Sequence, residues 1–384
     1  MKEGWTYKKL PEISENLDSL RKPVTKKNRT AGIYPYYGAS GIVDYVDDFL
    51  FDEELLCISE DGANLLMRTY PIAFPITGKV WVNNHAHVLR FKNMITQRYV
   101  EYFFAGIRLD NFITGAAQPK LTQKALNNII IKIPESVGEQ QSIVDYLDSA
   151  FAKIDAMKAN AEKALNEDKA LFQASLKEML EPKEGWEENT LGDLVVSNVV
   201  GLTRGKIEQG YDKKYPYFKM NNISPDNNLC WDDLIYVDAN EEELEKYSLQ
   251  EGDFLFNTRN SKEWVGKSTV YRDYSTPVML YNNNVMRIRF NDTIDPVFIA
   301  YSFLADFTKA QLEKIKSGTT NVWAIYYRDL SKILLTYPSL IEQQSIVTAL
   351  DALKSKVDRL QENYDKISQE CDALKQAILR QVFE

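Results

Sequence analysis

The chain holds two histidines, His85 and His87, and they form an H-x-H. On a strand that spacing points both rings to one face. No further histidine and no cysteine pair joins them, so strand packing or a nucleic-acid contact is the better reading and no metal site is expected. Gly266-Lys267-Ser268 ends like a P-loop, but the first glycine of that loop would fall where Ser261 stands. Pro225-Asp226 resembles the opening of a nuclease motif, yet no acidic-x-Lys follows within thirty residues. The Asn/Asp-Pro-Pro-aromatic tetrapeptide of adenine methyltransferases is absent. No catalytic centre is evident.

Other residues suit recognition. "RKPVTKKNR" (Arg21–Arg29) carries five basic groups in nine residues. The net charge is −9, but residues 1–135 hold 17 basic against 15 acidic groups, while residues 184–341 hold 17 against 23. A basic patch in the first half is compatible with an acidic whole. Cys57, Cys230 and Cys371 lie far apart, which suits a reducing compartment and no disulfide framework. The N-terminus lacks the apolar core of a signal peptide and no run of 18 apolar residues occurs, so a cytoplasmic location is expected.

The elements that must position these residues are written twice. "EQQSIV" occurs at Glu139–Val144 and at Glu342–Val347, and at that 203-residue shift 139–180 and 342–383 agree at 18 of 42 positions. Chance would give about two or three. "YPYY" (Tyr34–Tyr37) corresponds to "YPYF" (Tyr215–Phe218), and "NNHAHVLRF" (Asn83–Phe91) to "NNNVMRIRF" (Asn282–Phe290). "GAAQPKLTQKALNNIIIKIP" from Gly115 corresponds to "GTTNVWAIYYRDLSKILLTYP" from Gly318. The chain is one module repeated, an internal pseudo-dimer.

Residues 342–383 carry a 4-3-4-3 apolar stripe with no Pro or Gly: Ile346, Leu350, Leu353, Val357, Leu360, Tyr364, Ile367, Cys371, Leu374 and Ile378. The first copy begins likewise with Ile143, Leu147, Ile154 and Met157, and recovers after Asp168 through Leu171 or Phe172 and Leu176. Two helices of roughly 60 Å are predicted, paired along this seam so that neither leaves it exposed. The remaining stretches alternate short β-rich runs such as "LLCIS" and "FLFN" with Gly, Asn and Pro turns. The expected fold class is therefore α+β (mixed α/β): globular domains at 1–137 and 183–340, and two long antiparallel helices at 138–182 and 341–384 forming a coiled coil.

This order, with Pro134, Glu139, Gln140, Ile143 and Leu147 repeated as Pro338, Glu342, Gln343, Ile346 and Leu350, resembles the specificity subunit of type I restriction-modification systems. "YPYYGASGIVDYVDDFLFD" and "EDGANL" (Glu60–Leu65) support the likeness. It implies a non-catalytic DNA-reading scaffold, each α/β domain being a target recognition domain for one half of a bipartite target. It also implies double-stranded DNA, about two modification (methyltransferase) subunits and restriction/translocase subunits as partners. S-adenosylmethionine, ATP and Mg would belong to those partners. On DNA, half-sites one turn apart lie about 34–36 Å from each other.

For such a reader, Lys26, Lys27 and Arg29 are candidate phosphate ligands in the first domain, with Tyr36, Ser40, Asn64, Asn84 and His85 for base edges or sugar-phosphate. In the second domain the candidates are Arg204 and Lys206 for phosphates, then Asn222, Arg259, Asn260 and Asn283. The plainer account makes the tyrosines core aromatics and most Asn turn formers. Two alternatives stay open: a stand-alone methyltransferase or nuclease with an unrecognised site, and a coiled-coil protein-assembly subunit.

Overall fold

A computed structural model describes residues 4–115, 117–272, 278–319 and 321–383. The matched letters at Ala116 and Thr320 lie outside the described residues. The chain divides into two compact units, Met1–Glu162 with Asn363–Glu384, and Lys163–Glu362.

In the first unit the strands are β1 (Trp5–Lys9), β2 (Ser14–Asn16), β3 (Ala31–Gly38), β4 (Gly41–Val46), β5 (Phe51–Asp52), β6 (Leu55–Ser59), β7 (Ala73–Ile76), β8 (Lys79–Val82), β9 (Ala86–Phe91) and β10 (Ile130–Pro134). They form sheets in the orders β2-β9-β6-β7, β4-β3-β8-β5 and β1-β10. All five residues of β6 are buried, which is why "LLCIS" reads as an unbroken apolar run rather than an alternation. One core packs the Met94–Gly106 helix against Leu56, Ile58, Leu89 and Phe91, and a second gathers Leu55, Cys57, Val82 and Val88.

The second unit repeats the plan with β11 (Glu187–Thr190), β12 (Val195–Val200), β13 (Gln209–Gly210), β14 (Tyr215–Phe218), β15 (Ile235–Val237), β16 (Phe254–Asn257), β17 (Arg259–Asn260), β18 (Ser268–Val270), β19 (Leu280–Tyr281), β20 (Val285–Phe290), β21 (Ser317–Gly318), β22 (Trp323–Ala324) and β23 (Leu334–Tyr337). The sheet β12-β20-β16-β18 answers to β2-β9-β6-β7 of the first unit. β14 runs parallel to β19, as β3 runs parallel to β8. Tyr36 and Tyr217 hold corresponding places and each is 1% exposed. The Tyr36 hydroxyl accepts from Val24 N at 2.9 Å, and the Tyr217 hydroxyl donates to the Leu202 carbonyl.

The long helices are Val137–Leu180 and Leu340–Phe383. Each gives one end to each unit, so within either unit the start of one helix runs beside the end of the other. In the first unit Ile154 O accepts from Cys371 Sγ at 3.8 Å, and Lys158 pairs with Asp372 at 3.6 Å. In the second, Lys356 donates to Asp168 at 2.7 Å and Lys169 to Gln361 at 2.8 Å. The architecture is the mixed α/β fold with paired antiparallel helices that the pattern predicts.

The repeated letters have a structural task. Gln140 Nε2 donates to Pro134 O at 2.7 Å, and Gln343 Nε2 to Pro338 O at 2.9 Å, both in buried surroundings. Eight residues further on, Asp148 accepts from Arg98 and Tyr102, and Asp351 from Arg272 and Tyr301. Burial alone would raise both carboxyls, but these donors outweigh it and hold them below the ordinary carboxylate range. "EQQ…LD" thus fastens each helix to the globular core beside it.

The seam is most deeply buried over the first turns of each helix and departs further along. Leu147, Ile154, Ile346 and Leu350 are buried, while Ile143, Leu353, Val357, Leu360, Ile367 and Ile378 are half-buried. Leu374 instead points outward at 48% exposure, as does its repeat counterpart Leu171 at 49%, and Met157 is exposed as well. The residues turned inward at the helix ends are Phe172, Leu176 and Leu180 in one copy, and Leu379 and Phe383 in the other. A straight helix drifts about 20° per heptad against a 3.5-residue stripe. By the last turns the inward face is the one that meets the α/β core. Gly106 permits that docking, because a Cβ there would lie 3.1 Å from the Leu379 Cβ.

Candidate nucleic-acid interface

In the first unit, four loops meet at one end of the sheets. Asn83 shapes the turn into β9 by accepting from His85 N at 2.8 Å through its side chain, an Asx turn. His85 O accepts from Glu60 N at 2.9 Å, and the His85 ring meets Asp61 at 2.9 Å. Gly62, at φ 106°, needs the freedom of glycine, and its N–H reaches Pro119 O at 3.0 Å. Ser59 Oγ donates to the Ala39 carbonyl beside Ser40. Ser40, Asp61–Asn64, Asn84–His85 and the bridged Thr114 and Lys120 therefore converge, with Ser40, Asn84 and His85 exposed. Asn64 keeps to its own loop, bonding both backbone groups of Tyr70 at 2.9 and 3.1 Å.

Strand β9 begins only at Ala86, so His85 and His87 do not share a face. His85 lies in the turn and is exposed, while His87 is fully buried. Tyr36 is likewise removed from direct contact, being buried with its hydroxyl bonded to Val24. The basic run divides by role. Arg29 donates to Val24 O at 3.0 Å and Asp44 at 2.9 Å, and stacks 4.2 Å over the Tyr36 ring. Arg21 is held by Glu60 and Ala86 O, each at 2.6 Å. Lys22, Lys26 and Lys27 remain exposed, the latter two on a short 3-10 turn that Arg29 anchors.

The second unit builds a corresponding cluster. Asn282 accepts from Asn284 N at 3.2 Å, and Thr258 N donates to Asn284 O at 2.8 Å, matching Glu60 N on His85 O. Arg259 and Asn260 extend from this point and pair with Ala324 and Trp323. Asn260 donates to Asn257 Oδ1 at 3.0 Å. Arg259 is exposed, Asn283 half-exposed, and the Lys262 ammonium lies 5.0 Å over the Trp323 ring. Two expectations need correction. Arg204 spends its donors on Glu243 at 2.6 Å and on the Asp238 and Thr203 carbonyls. Asn222 is buried and bonded to Cys230 O at 2.9 Å. Lys206 is exposed.

The two clusters share a hydrogen-bond frame and differ in what they present: Asp61, Asn84, His85 and Lys120 in one, Arg259, Asn283, Lys262 and Trp323 in the other. Neutral amides, a hydroxyl and forked or point cations are the groups that bond base edges and phosphates. Asp61, Lys120, Lys262 and Trp323 were not among the expected residues. The matching runs from Gly115 and Gly318 were the available signal, since Lys120 and Trp323 lie in them.

The sequence matches the family described as "Type I restriction modification DNA specificity domain" over residues 2–167 and again over 183–369. The chain belongs to this family. A type I restriction enzyme specificity subunit of Haemophilus influenzae is 26% identical over 362 residues, spanning 93% of this chain and 89% of the relative. The EcoKI specificity subunit of Escherichia coli is 23% identical over 313 residues, spanning 77% and 67%. Among solved structures, a chain from a study of assembly and conformational transition of the type I R-M system covers 100% of this chain and 98% of its own length, with a TM-score of 0.68 at 17% identity. The crystal structure of the HsdS subunit from Thermoanaerobacter tengcongensis covers 100% and 97%, with a TM-score of 0.54 at 16% identity. These two share the family fold.

Proposed function

We propose that this chain is the DNA-reading specificity subunit of a type I restriction-modification complex. The globular domains at 1–137 and 183–340 each take one half of a bipartite target. Methyl transfer and cleavage belong to modification and restriction/translocase subunits, which supply S-adenosylmethionine, ATP and Mg. The chain itself works without a catalytic centre, in the cytoplasm where the DNA is. Among the described residues no helix is long and apolar enough to cross a membrane.

The observation that carries the reading is the pair of loop clusters, alike in backbone hydrogen bonding and unlike in exposed side chains. Equal frames suit equal docking on a duplex, and unequal side chains suit different bases. Exposed Lys26, Lys27 and Lys206 fit phosphates, and Ser40, Asn84, His85, Arg259 and Asn283 fit base edges. The long helices, fastened by the same residues in both copies, suit one kind of partner bound twice.

The test is to exchange residues 1–137 for the corresponding domain of another specificity subunit and sequence the methylome of a host carrying the whole system. One half of the methylated target should change while the other stays. A change in both halves, or in neither, would overturn the modular reading. Cleavage or methylation by the purified chain alone would favour the enzyme alternative.

A further inference from the structure

Beneath the first unit's loop cluster lies a buried ionic network that the reading above does not use. Glu60 is its hub. Its backbone ties the His85 carbonyl to the Leu121 N–H, at 2.9 and 2.7 Å. Its carboxylate takes Arg21 at 2.6 Å and Lys120 at 3.1 Å. His87 bridges the same two segments: Nε2 donates to Leu121 O at 2.7 Å and Nδ1 meets Asp18 Oδ2 at 2.6 Å. Arg21 also lies 3.3 Å from Asp18.

A carbonyl can only accept, and Asp18 is held in its ionised form by His87, Val88 N and Arg21 against the effect of burial. The Nε2–H of His87 therefore donates to the Leu121 carbonyl, and Nδ1 faces the Asp18 carboxylate. Asp18, Glu60 and His87 sit within 4.8 Å of one another, close enough to hold a metal ion. The Arg21 guanidinium and the Lys120 ammonium already set two positive charges against the two carboxylates, so the cluster is complete as a salt-bridge network.

The repeat supplies an internal comparison. Ile58 pairs with His87 in the first unit, where Phe256 pairs with Met286 in the second. Thr258 replaces Glu60, as its bonds to Asn284 O and Ile325 N show, and Ala324 stands where Lys120 does. Among the described residues the second unit therefore lacks the network, and Arg259 and Asn260 pair by backbone with Ala324 and Trp323.

We propose that the Glu60–His87 network positions the first unit's reading loops, 60–64 and 114–121, and so governs recognition of the first half-site alone. His87 and Glu60 are buried, so they act through the loops they hold and are positioning residues. The proposal rests on the DNA-reading function above.

The test uses the full chain in its modification complex, with Glu60→Gln, which keeps shape and weakens both ion pairs, and His87→Met, which installs the second unit's residue. Hydrogen exchange needs no DNA. It should accelerate at least tenfold across 114–121 while β6 and β9 stay protected. Methylome sequencing should then show methylation spreading to targets altered in the first half, with the second half read as strictly as before. Should His87→Met fail to fold, Glu60→Gln carries both readouts. Unchanged exchange at 114–121, or equal relaxation of both halves, overturns the proposal. Faster exchange beside a wild-type complex that shows no target preference would sink the DNA reading and leave the tether standing.

Discussion

Truncating Gln343 tests why six letters recur in this chain. Gln343 is fully buried and makes three hydrogen bonds: Oε1 accepts from Asp295 N at 2.9 Å, and Nε2 donates to Pro338 O at 2.9 Å and Thr293 O at 3.0 Å. Each neutral bond contributes about 1 kcal/mol net, and the buried groups left behind cannot all regain water. Gln343→Ala should therefore cost about 3 kcal/mol. Gln140 makes two such bonds, to Thr96 and Pro134 O, and Gln140→Ala should cost about 2 kcal/mol. Gln343→Glu should be worse than alanine, since it sets a carboxylate oxygen against two carbonyls. The neighbouring Gln344 is exposed, and Gln344→Ala should stay within about 0.5 kcal/mol. A chain of two units need not melt in one step, so the assay is hydrogen exchange of the amides in 340–350 of the full chain. Three kcal/mol is about a hundredfold in the local opening constant. If Gln343→Ala and Gln344→Ala exchange alike, the clamp account of the motif is wrong.

Three further outcomes follow from the same contacts. Lys26→Gln with Lys27→Gln should flatten the slope of log affinity against log salt by about 1.8, measured by DNA titration of the complex, while Arg29→Gln should instead lower the thermal stability of the first unit. Leu379→Ala should cost about 2–5 kcal/mol and Leu374→Ala under about 0.5, read by exchange in 363–383. Stability against pH should be level near neutrality and fall below about pH 4. Asp18, Asp148 and Asp351 are held below their unfolded values, so their contribution is complete above the unfolded pKa and lost as pH drops through the folded one. Asp351→Asn should shallow that acid limb in unfolding titrations of the second unit.

Local pattern carried much of this into view. A 4-3 stripe without Pro or Gly makes a helix whatever surrounds it, and "EQQ…LD" marks both helices because each must grip its own core in the same way. Buried strands such as β6 and β16 announce themselves by unbroken apolar letters. The candidate interface was legible only in part. Ser40, Asn84, His85 and Asn283 lie in the turns that composition suggested and Arg259 in the short strand β17, but Tyr36 and Asn222 are buried and Arg29 and Arg204 are committed to partners within the chain.

Amino-acid order alone determined the duplication, the paired helices, the mixed α/β class and the turn-rich stretches from which a DNA reader draws its side chains. Tertiary structure decided which cations face outward, that His85 and His87 part company, and that the helix ends turn Leu379 and Phe383 inward rather than Leu374. The physical reason is range. Helix and strand periodicity are set by neighbours a few residues away, whereas the partners that hold Arg21, His87 and Arg204 stand 39, 69 and 39 positions distant in the chain, and only the folded packing brings them together.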